Sequence, residues 1–174
     1  MPERYNFAIR RVTFKDAADV AAIYNEGIDE RSATFVTTHF TAEDICHKIA
    51  EGGEKHPFLI AELTGSERIA GWVSISSYSP RSCYDGVGEV SVYITSDCRR
   101  QGIGEALVEE AFDAAANAGY WKLMVRIFTF NKASINLFKK QGYVEAGLHK
   151  NHGKLDGKWL DVLEMEKQIP CNLK

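Results

Sequence analysis

The sequence predicts a single α/β (α+β) domain spanning residues 1–174, and three observations carry that prediction. Runs of alternating apolar residues, such as Val90, Val92 and Ile94, are interleaved with stretches whose apolar residues recur at helical spacing. Polar or glycine-bearing turns separate the two patterns. At 174 residues, 45% of them apolar, the chain has one domain's length and enough apolar content for a sizeable core.

The elements follow in order. A strand is predicted over 7–12 and a helix over 14–25, where Ala17, Val20, Ala21 and Tyr24 share one face; Thr13 and Asp16 have capping-box spacing. A loop over 29–39 leads to a short helix over 42–50, preceded by Thr41 with Asp44 three positions on. Strands over 58–63 and 68–77 flank the turn Thr64-Gly65-Ser66-Glu67 as a hairpin. Val90, Val92 and Ile94 then alternate with Ser91 and Tyr93 in a strand that ends near Thr95. Leu107, Val108, Ala111, Phe112 and Ala115 define a helix over 105–117 that Gly119 stops. Leu123, Val125 and Ile127 face one side of a buried strand over 122–128, which leads to a helix starting around Asn131 and Ser134. Gln141-Gly142-Tyr143 turns into two final strands near 144–149 and 159–167, with Trp159 assigned to the core.

Composition narrows the function. A net charge of −3 gives no sign of a nucleic-acid partner, and Arg99-Arg100 is too short for a basic patch. Cys46, Cys83, Cys98 and Cys171 have no C-x-x-C spacing and no clustered His, so neither a metal nor a disulfide framework is expected. The charged start lacks a leader's apolar stretch and no segment is long enough for a membrane span, so the expected location is cytoplasmic.

The most informative stretch is Arg99-Arg100-Gln101-Gly102-Ile103-Gly104, which lies between a strand and a helix. At a helix start the first N–H groups lack intrahelical partners and the dipole favours an anion, while glycine lets backbone approach a phosphate closely. The stretch therefore reads as a pyrophosphate cradle. A nucleotide-triphosphatase loop would need Lys and Ser or Thr after the last glycine, where Glu105 and Ala106 stand. A dinucleotide fingerprint would need a third small residue where Leu107 stands.

The spacing Arg99-x-x-Gly102-x-Gly104 after a Val-x-Val-x-Ile strand resembles the acyl-CoA site of the GNAT superfamily of N-acetyltransferases. The resemblance covers nearly the whole chain. It implies a mixed, mostly antiparallel sheet of six to seven strands, helices on both faces and a splayed cofactor-binding strand. It further implies that acetyl-CoA lies on Arg99, Arg100, Gln101, Gly102, Ile103, Gly104 and Glu105, with its pantetheine arm along the backbone of Val92, Tyr93 and Ile94. Asn131 and Ser134 match the family's pantetheine- and phosphate-side residues, although Asn caps a helix well in any protein and the two roles are compatible. Many members carry a Tyr that protonates the leaving thiolate, but Phe138 stands at that position and cannot donate a proton. Tyr143, in its turn, is not expected to replace it.

Transfer to an amine needs a base, because a typical amine is protonated at pH 7. Glu89, at the start of the cofactor strand, is the candidate, an ordinary strand-end carboxylate being the plain alternative. The stretch Arg81-Ser82-Cys83-Tyr84-Asp85, followed by Glu89-Val90-Ser91-Val92-Tyr93-Ile94, is similar to the phosphinothricin acetyltransferase branch. That similarity implies Glu89 as general base and a substrate pocket of Phe35, Arg81 and Tyr84. It also implies acidic amino acid substrates of the phosphinothricin, arsinothricin or methionine sulfone and sulfoximine class, in a resistance role, and a homodimer. A guanidinium at Arg81 suits a carboxylate, phosphinate or arsinate, though a solvated loop cation fits the sequence too. Phe35 fits equally as a packed residue beneath its loop. Near the end, Gly157-Lys158-Trp159-Leu160-Asp161-Val162 matches the branch, but Asp156 stands where some members have His, leaving His152 as a substrate-side candidate. Two other functions share this cofactor site: acetylation of protein amines, and acyl-CoA sensing without catalysis.

Overall fold

The computed structural model of the protein describes residues 6–174; residues 1–5, most of the charged start read above as leaderless, lie outside the described residues. Seven strands form one sheet in the order β1-β2-β3-β4-β5-β7-β6. They are β1 (Phe7–Arg11), β2 (Phe58–Leu63), β3 (Ile69–Ser77), β4 (Val87–Ile94), β5 (Lys122–Phe128), β6 (Val144–Leu155) and β7 (Lys158–Gln168). Every neighbouring pair is antiparallel except β4 and β5, which run parallel.

The four helices, α1 (Ala17–Asp29), α2 (Ala42–Gly52), α3 (Ile103–Asn117) and α4 (Lys132–Lys140), divide between the two faces. Strand alternation sends Phe58 and Ile60 to one face and Ala61 and Leu63 to the other. On the first face, Val20, Ala21 and Ile23 of α1 and Ile45 of α2 pack with Phe58, Ile60 and Trp72. On the second, Leu107, Val108 and Ala111 of α3 and Ile135 and Phe138 of α4 pack with Ala61, Val73, Val90, Leu123 and Val125. The mixed sheet with helices on both faces is the architecture expected from the sequence.

The site is positioned by a divergence within the sheet. β4 pairs with β5 only from Val87 to Glu89. Beyond Glu89, β4 stays on β3 as far as Ile94, whereas β5 continues along β7 to Phe128, so the two strands part.

Some boundaries differ from the sequence reading for local reasons. Residues 14–16 form a 3-10 turn before α1, and the Asp16 carboxylate accepts from the Thr13 N–H at 2.7 Å, from Thr13 Oγ1 at 2.9 Å and from two Arg10 nitrogens at 2.8 Å each. Arg10 holds the Asp16 carboxyl down at about 2. α1 continues to Asp29, which shortens the expected loop, and α3 begins at Ile103 rather than 105. The two final strands form a long hairpin turned by Asp156 (φ 47°) and Gly157 (φ 80°). Asp156 also pairs with Arg31 at 2.9 Å, tying the hairpin to the end of α1, where Arg31 donates to the Ile28 carbonyl at 2.7 Å. Trp159 is not in the core: 59% of it is exposed, because it flanks this turn opposite Lys154, whose ammonium lies 5.0 Å from its ring.

Candidate active site

Where β4 and β5 part, a cleft of about 1020 Å³ opens, lined by β4, β5, the loop at 32–35, the starts of α3 and α4, and His152 and Gly153 of β6. At one end lies the basic, glycine-bearing turn. Arg100 (φ 61°) and Gly102 (φ 83°) are both left-handed, a conformation that costs a non-glycine residue roughly 1–2 kcal/mol. The first backbone bond of α3 is made by the Ala106 N–H to the Gly102 carbonyl, so the N–H groups of Ile103, Gly104 and Glu105 precede it and face the turn. Together these amides make an anion-binding concavity. Arg99, Arg100, Gly102, Ile103, Gly104 and Glu105 line the cleft; Gln101 is outside the lining.

The Arg99 side chain lines the cleft and also makes bonds within the protein. Its Nε donates to the Ile94 carbonyl at 3.0 Å and its Nη2 pairs with Glu30 at 2.9 Å. Glu26 accepts from the Ser96 N–H at 2.9 Å and from Thr95 Oγ1 at 3.0 Å. Glu26 of α1 and Glu30 just past its end thus fix the exit of β4, and Arg99 braces the turn with its guanidinium.

Along β4, the Thr95 N–H donates to the Ala70 carbonyl of β3's side, and alternation then turns the backbone groups of Tyr93 toward β3 and those of Val92 and Ile94 toward the gap. The expected backbone contacts to an extended arm therefore reduce to Val92 and Ile94, the Ile94 carbonyl being shared with Arg99. Tyr93 contributes its ring, stacked on Trp72 at 4.8 Å and edge-on to Tyr24 at 4.9 Å. Across the gap, Asn131 caps α4 by accepting from the Ser134 N–H at 3.1 Å, and its amide donates to the Ser32 carbonyl at 3.1 Å. Asn131 and Ser134 both line the cleft. Phe138 is fully buried with its ring 4.9 Å from that of Tyr143, and the buried Tyr143 hydroxyl has no hydrogen-bond partner among the described residues; burial pushes that phenol up, so it is a poor proton donor to the cleft.

At the other end stands Glu89, the last β4 residue paired with β5. Its two carboxylate oxygens accept from Arg126 of β5, Oε1 from Nε at 2.9 Å and Oε2 from Nη2 at 2.5 Å. The bond from Glu89 holds Arg126 more firmly protonated. Sequence reasoning missed Arg126; its signal was a charged residue set between Val125 and Ile127 in an otherwise apolar strand. Arg126 faces Glu164 of β7 in register, Glu164 lies 3.6 Å from His149, and the His149 and His152 rings are 4.6 Å apart. Phe35 closes a wall: its ring meets Phe128 edge-on at 4.8 Å and sits so close to Gly153 that a Cβ there would lie 2.8 Å from it. It is both a packed residue and a lining one.

Arg81 and Tyr84 depart from expectation. Neither lines the cleft; they lie on the β3–β4 connection, with Arg81 preceding a 3-10 turn and Tyr84 39% exposed against Tyr78 at 5.5 Å. The connection leaves the sheet beyond the Ser77–Gly88 pair, one register step past the Ser76–Glu89 pair. Among the described residues, no group of three or more His, Cys, Asp or Glu could hold a metal ion, and no helix is long and apolar enough to cross a membrane.

Comparison with known proteins agrees with this geometry. Residues 9–163 match the family model described as an acetyltransferase (GNAT) domain. YwnH of Bacillus subtilis is 35% identical over 92% of this chain and 98% of its own. The phosphinothricin N-acetyltransferase of Alcaligenes faecalis is 30% identical over 92% and 82%. The L-methionine sulfoximine/L-methionine sulfone acetyltransferase of Pseudomonas aeruginosa is 27% identical over 93% and 94%. Among solved structures, the ribosomal-protein-alanine N-acetyltransferase of Brucella melitensis is 32% identical with a TM-score of 0.86, over 93% of this chain and 99% of that one. A phosphinothricin acetyltransferase of Sinorhizobium meliloti, in complex with AcCoA, shares the fold with a TM-score of 0.88 at 24% identity, over 94% and 88%. The chain is thus matched by relatives along nearly its full length, and the protein belongs to the GNAT family of acetyltransferases, on its phosphinothricin and methionine sulfoximine branch.

Proposed function

We propose that this enzyme moves the acetyl group of acetyl-CoA to the α-amine of a small, glutamate-like amino acid, of the phosphinothricin, arsinothricin or methionine sulfone and sulfoximine class, as a cytoplasmic detoxifying enzyme. One observation carries the reading: the cleft has an anion-binding turn at one end and Glu89 at the other, joined by the unpaired edge of β4. The Alcaligenes and Pseudomonas relatives, named for amino acid analogues, supply the substrate class. The branch resemblance carries the homodimer.

Each part of the cleft has a task in this reading. The amides of Ile103, Gly104 and Glu105, with Arg100 beside them, hold the pyrophosphate, while Val92 and Ile94 bond the pantetheine arm as a further strand would. Asn131 keeps α4 and the loop at 32–35 in register around it. Phe35 and His152 bound the acceptor. Glu89 takes a proton from the ammonium, directly or through a water, and the freed lone pair attacks the thioester carbonyl. The C–N bond forms, the C–S bond breaks as the thiolate leaves, and the nitrogen gives up its second proton to water. With Phe138 unable to donate, a thiolate of ordinary basicity, pKa about 8.5, takes its proton from water.

A second reading, acetylation of a protein's N-terminal amine, is favoured by the name of the Brucella relative. Release of CoA thiol decides between them, measured with acetyl-CoA and a panel of phosphinothricin, arsinothricin, methionine sulfone, glutamate and an alanine-initiated peptide. Turnover on an acidic amino acid analogue supports the first reading. Turnover confined to the peptide supports the second, and tight CoA binding without turnover on any amine reduces the protein to a sensor.

A further inference from the structure

We propose that Arg126 is the selectivity residue of the acceptor site: it recognises the free carboxylate of the incoming amino acid and, in moving to it, releases Glu89 for proton transfer. The inference rests on Glu89 being the base.

Arg126 sits two residues beyond Met124, the β5 partner of Glu89, and its guanidinium reaches back across the parting strands to both Glu89 oxygens. A carboxylate so clamped has one lone pair on each oxygen engaged by a cation, which leaves fewer for an amine or a bridging water. The clamp is also easily exchanged. The Arg126 and Glu89 side chains are 45% and 26% exposed, and ion pairs in such settings typically contribute only about 0–1 kcal/mol. A competing carboxylate from an amino acid offers the same bidentate geometry at little cost.

The groups around Arg126 agree with a zwitterionic acceptor. Glu89 and Glu164 face it, with the Tyr78 phenol nearby and His149 against Glu164. One guanidinium stands between two carboxylates, so Arg126, Glu89 and Glu164 together carry one net negative charge. An amino acid complements it: its ammonium meets the carboxylates and its own carboxylate meets Arg126. A lysine side chain in a peptide presents an amine with no carboxylate adjacent, so it cannot draw Arg126 from Glu89. Since Arg81 and Tyr84 do not line the cleft, Arg126 is the permanent cation at the Glu89 end among the lining residues.

The test compares each acceptor amino acid with its α-carboxamide, using wild type, Arg126→Gln and Arg126→Lys, with melting temperatures to confirm folding. Loss of a charge-assisted contact predicts that the preference for acid over amide in kcat/KM falls by about tenfold or more in Arg126→Gln and is partly kept in Arg126→Lys. An unchanged acid-to-amide ratio overturns the proposal, even if kcat falls, since Arg126 then serves Glu89 alone. If wild type turns over no free amino acid, the functional reading has failed and this proposal with it. A Glu89→Gln enzyme of undiminished kcat removes the base and the release step together.

Discussion

Gly27, near the end of α1, decides a contest between two measurable effects. A Cβ at this position would lie 2.6 Å and 2.7 Å from Cδ1 and Cε1 of Tyr93. The ring cannot simply retreat, since Trp72 stacks on it at 4.8 Å and Tyr24 meets it at 4.9 Å. Ordinary carbon contacts need roughly 3.5–4.0 Å, so Gly27→Ala requires a shift of about 1 Å in a packed aromatic cluster. Overpacking of this kind costs about 1–3 kcal/mol, whereas replacing a helical glycine by alanine gains about 1 kcal/mol. Overpacking wins, and Gly27→Ala is expected to lose about 1 kcal/mol in urea unfolding and to raise the KM for acetyl-CoA, because Tyr93 belongs to the strand that lines the cleft. The control is the same substitution in a Tyr93→Leu background, where helix propensity alone acts and stability rises by about 0.5–1 kcal/mol. Stabilisation of equal size in both backgrounds would show that the Tyr93 ring does not press on Gly27.

Three further outcomes follow from other parts of the fold. Gly102→Val forces a β-branched residue into φ 83°, so the turn reorganises and CoA binding falls by at least about tenfold in calorimetry; an unchanged Kd removes the anion-site assignment. Asp16, only 6% exposed, has its carboxyl held at about 2 by Arg10, against an ordinary value near 3.8. Its folded pKa is depressed, so its contribution of about 2 kcal/mol is present above pH ~4 and is lost as pH falls toward 2. Asp16→Asn should lower the urea midpoint at neutral pH and flatten its decline across that acid window, and parallel curves for the two proteins would refute this. Asp156→Ala cuts the Arg31 tether between the hairpin and α1. The exposed pair contributes at most about 1 kcal/mol to stability, but the acceptor KM rises because the loop at 32–35 loosens; equal KM values would separate the tether from the site.

The cleft's cofactor side was legible in the sequence because it is local. Alternation gives β4, glycine and arginine mark the turn, and helical spacing gives α3, all within residues 87–117. The parting of β4 from β5 was expected through resemblance alone, since strand pairing lies outside any local pattern. Arg126 escaped notice for the same reason: its partner Glu89 is 37 residues away and meets it only through the β4–β5 crossover. Arg81 and Tyr84 lie in a loop whose path is not fixed by periodicity, and they are not among the residues that line the cleft. Trp159 is not a core residue because, although an aromatic in an apolar strand usually meets a core, the hairpin carries it to the turn, where it is mostly exposed beside Lys154. Asp156, opaque in the sequence, proved to be a turn residue and a tether.

The central claim is that Glu89 deprotonates the amine of a small acidic acceptor during acetyl transfer. The direct measurement follows N-acetyl product and CoA thiol together, with phosphinothricin and acetyl-CoA, for wild type and Glu89→Gln between pH 7 and 9. Loss of a general base costs about 10²–10⁴ in rate, so wild type should form the two products in equal amounts while Glu89→Gln falls at least about a hundredfold at pH 7 with CoA binding intact. Equal rates in the two enzymes, or thiol release without N-acetyl product, would contradict the account.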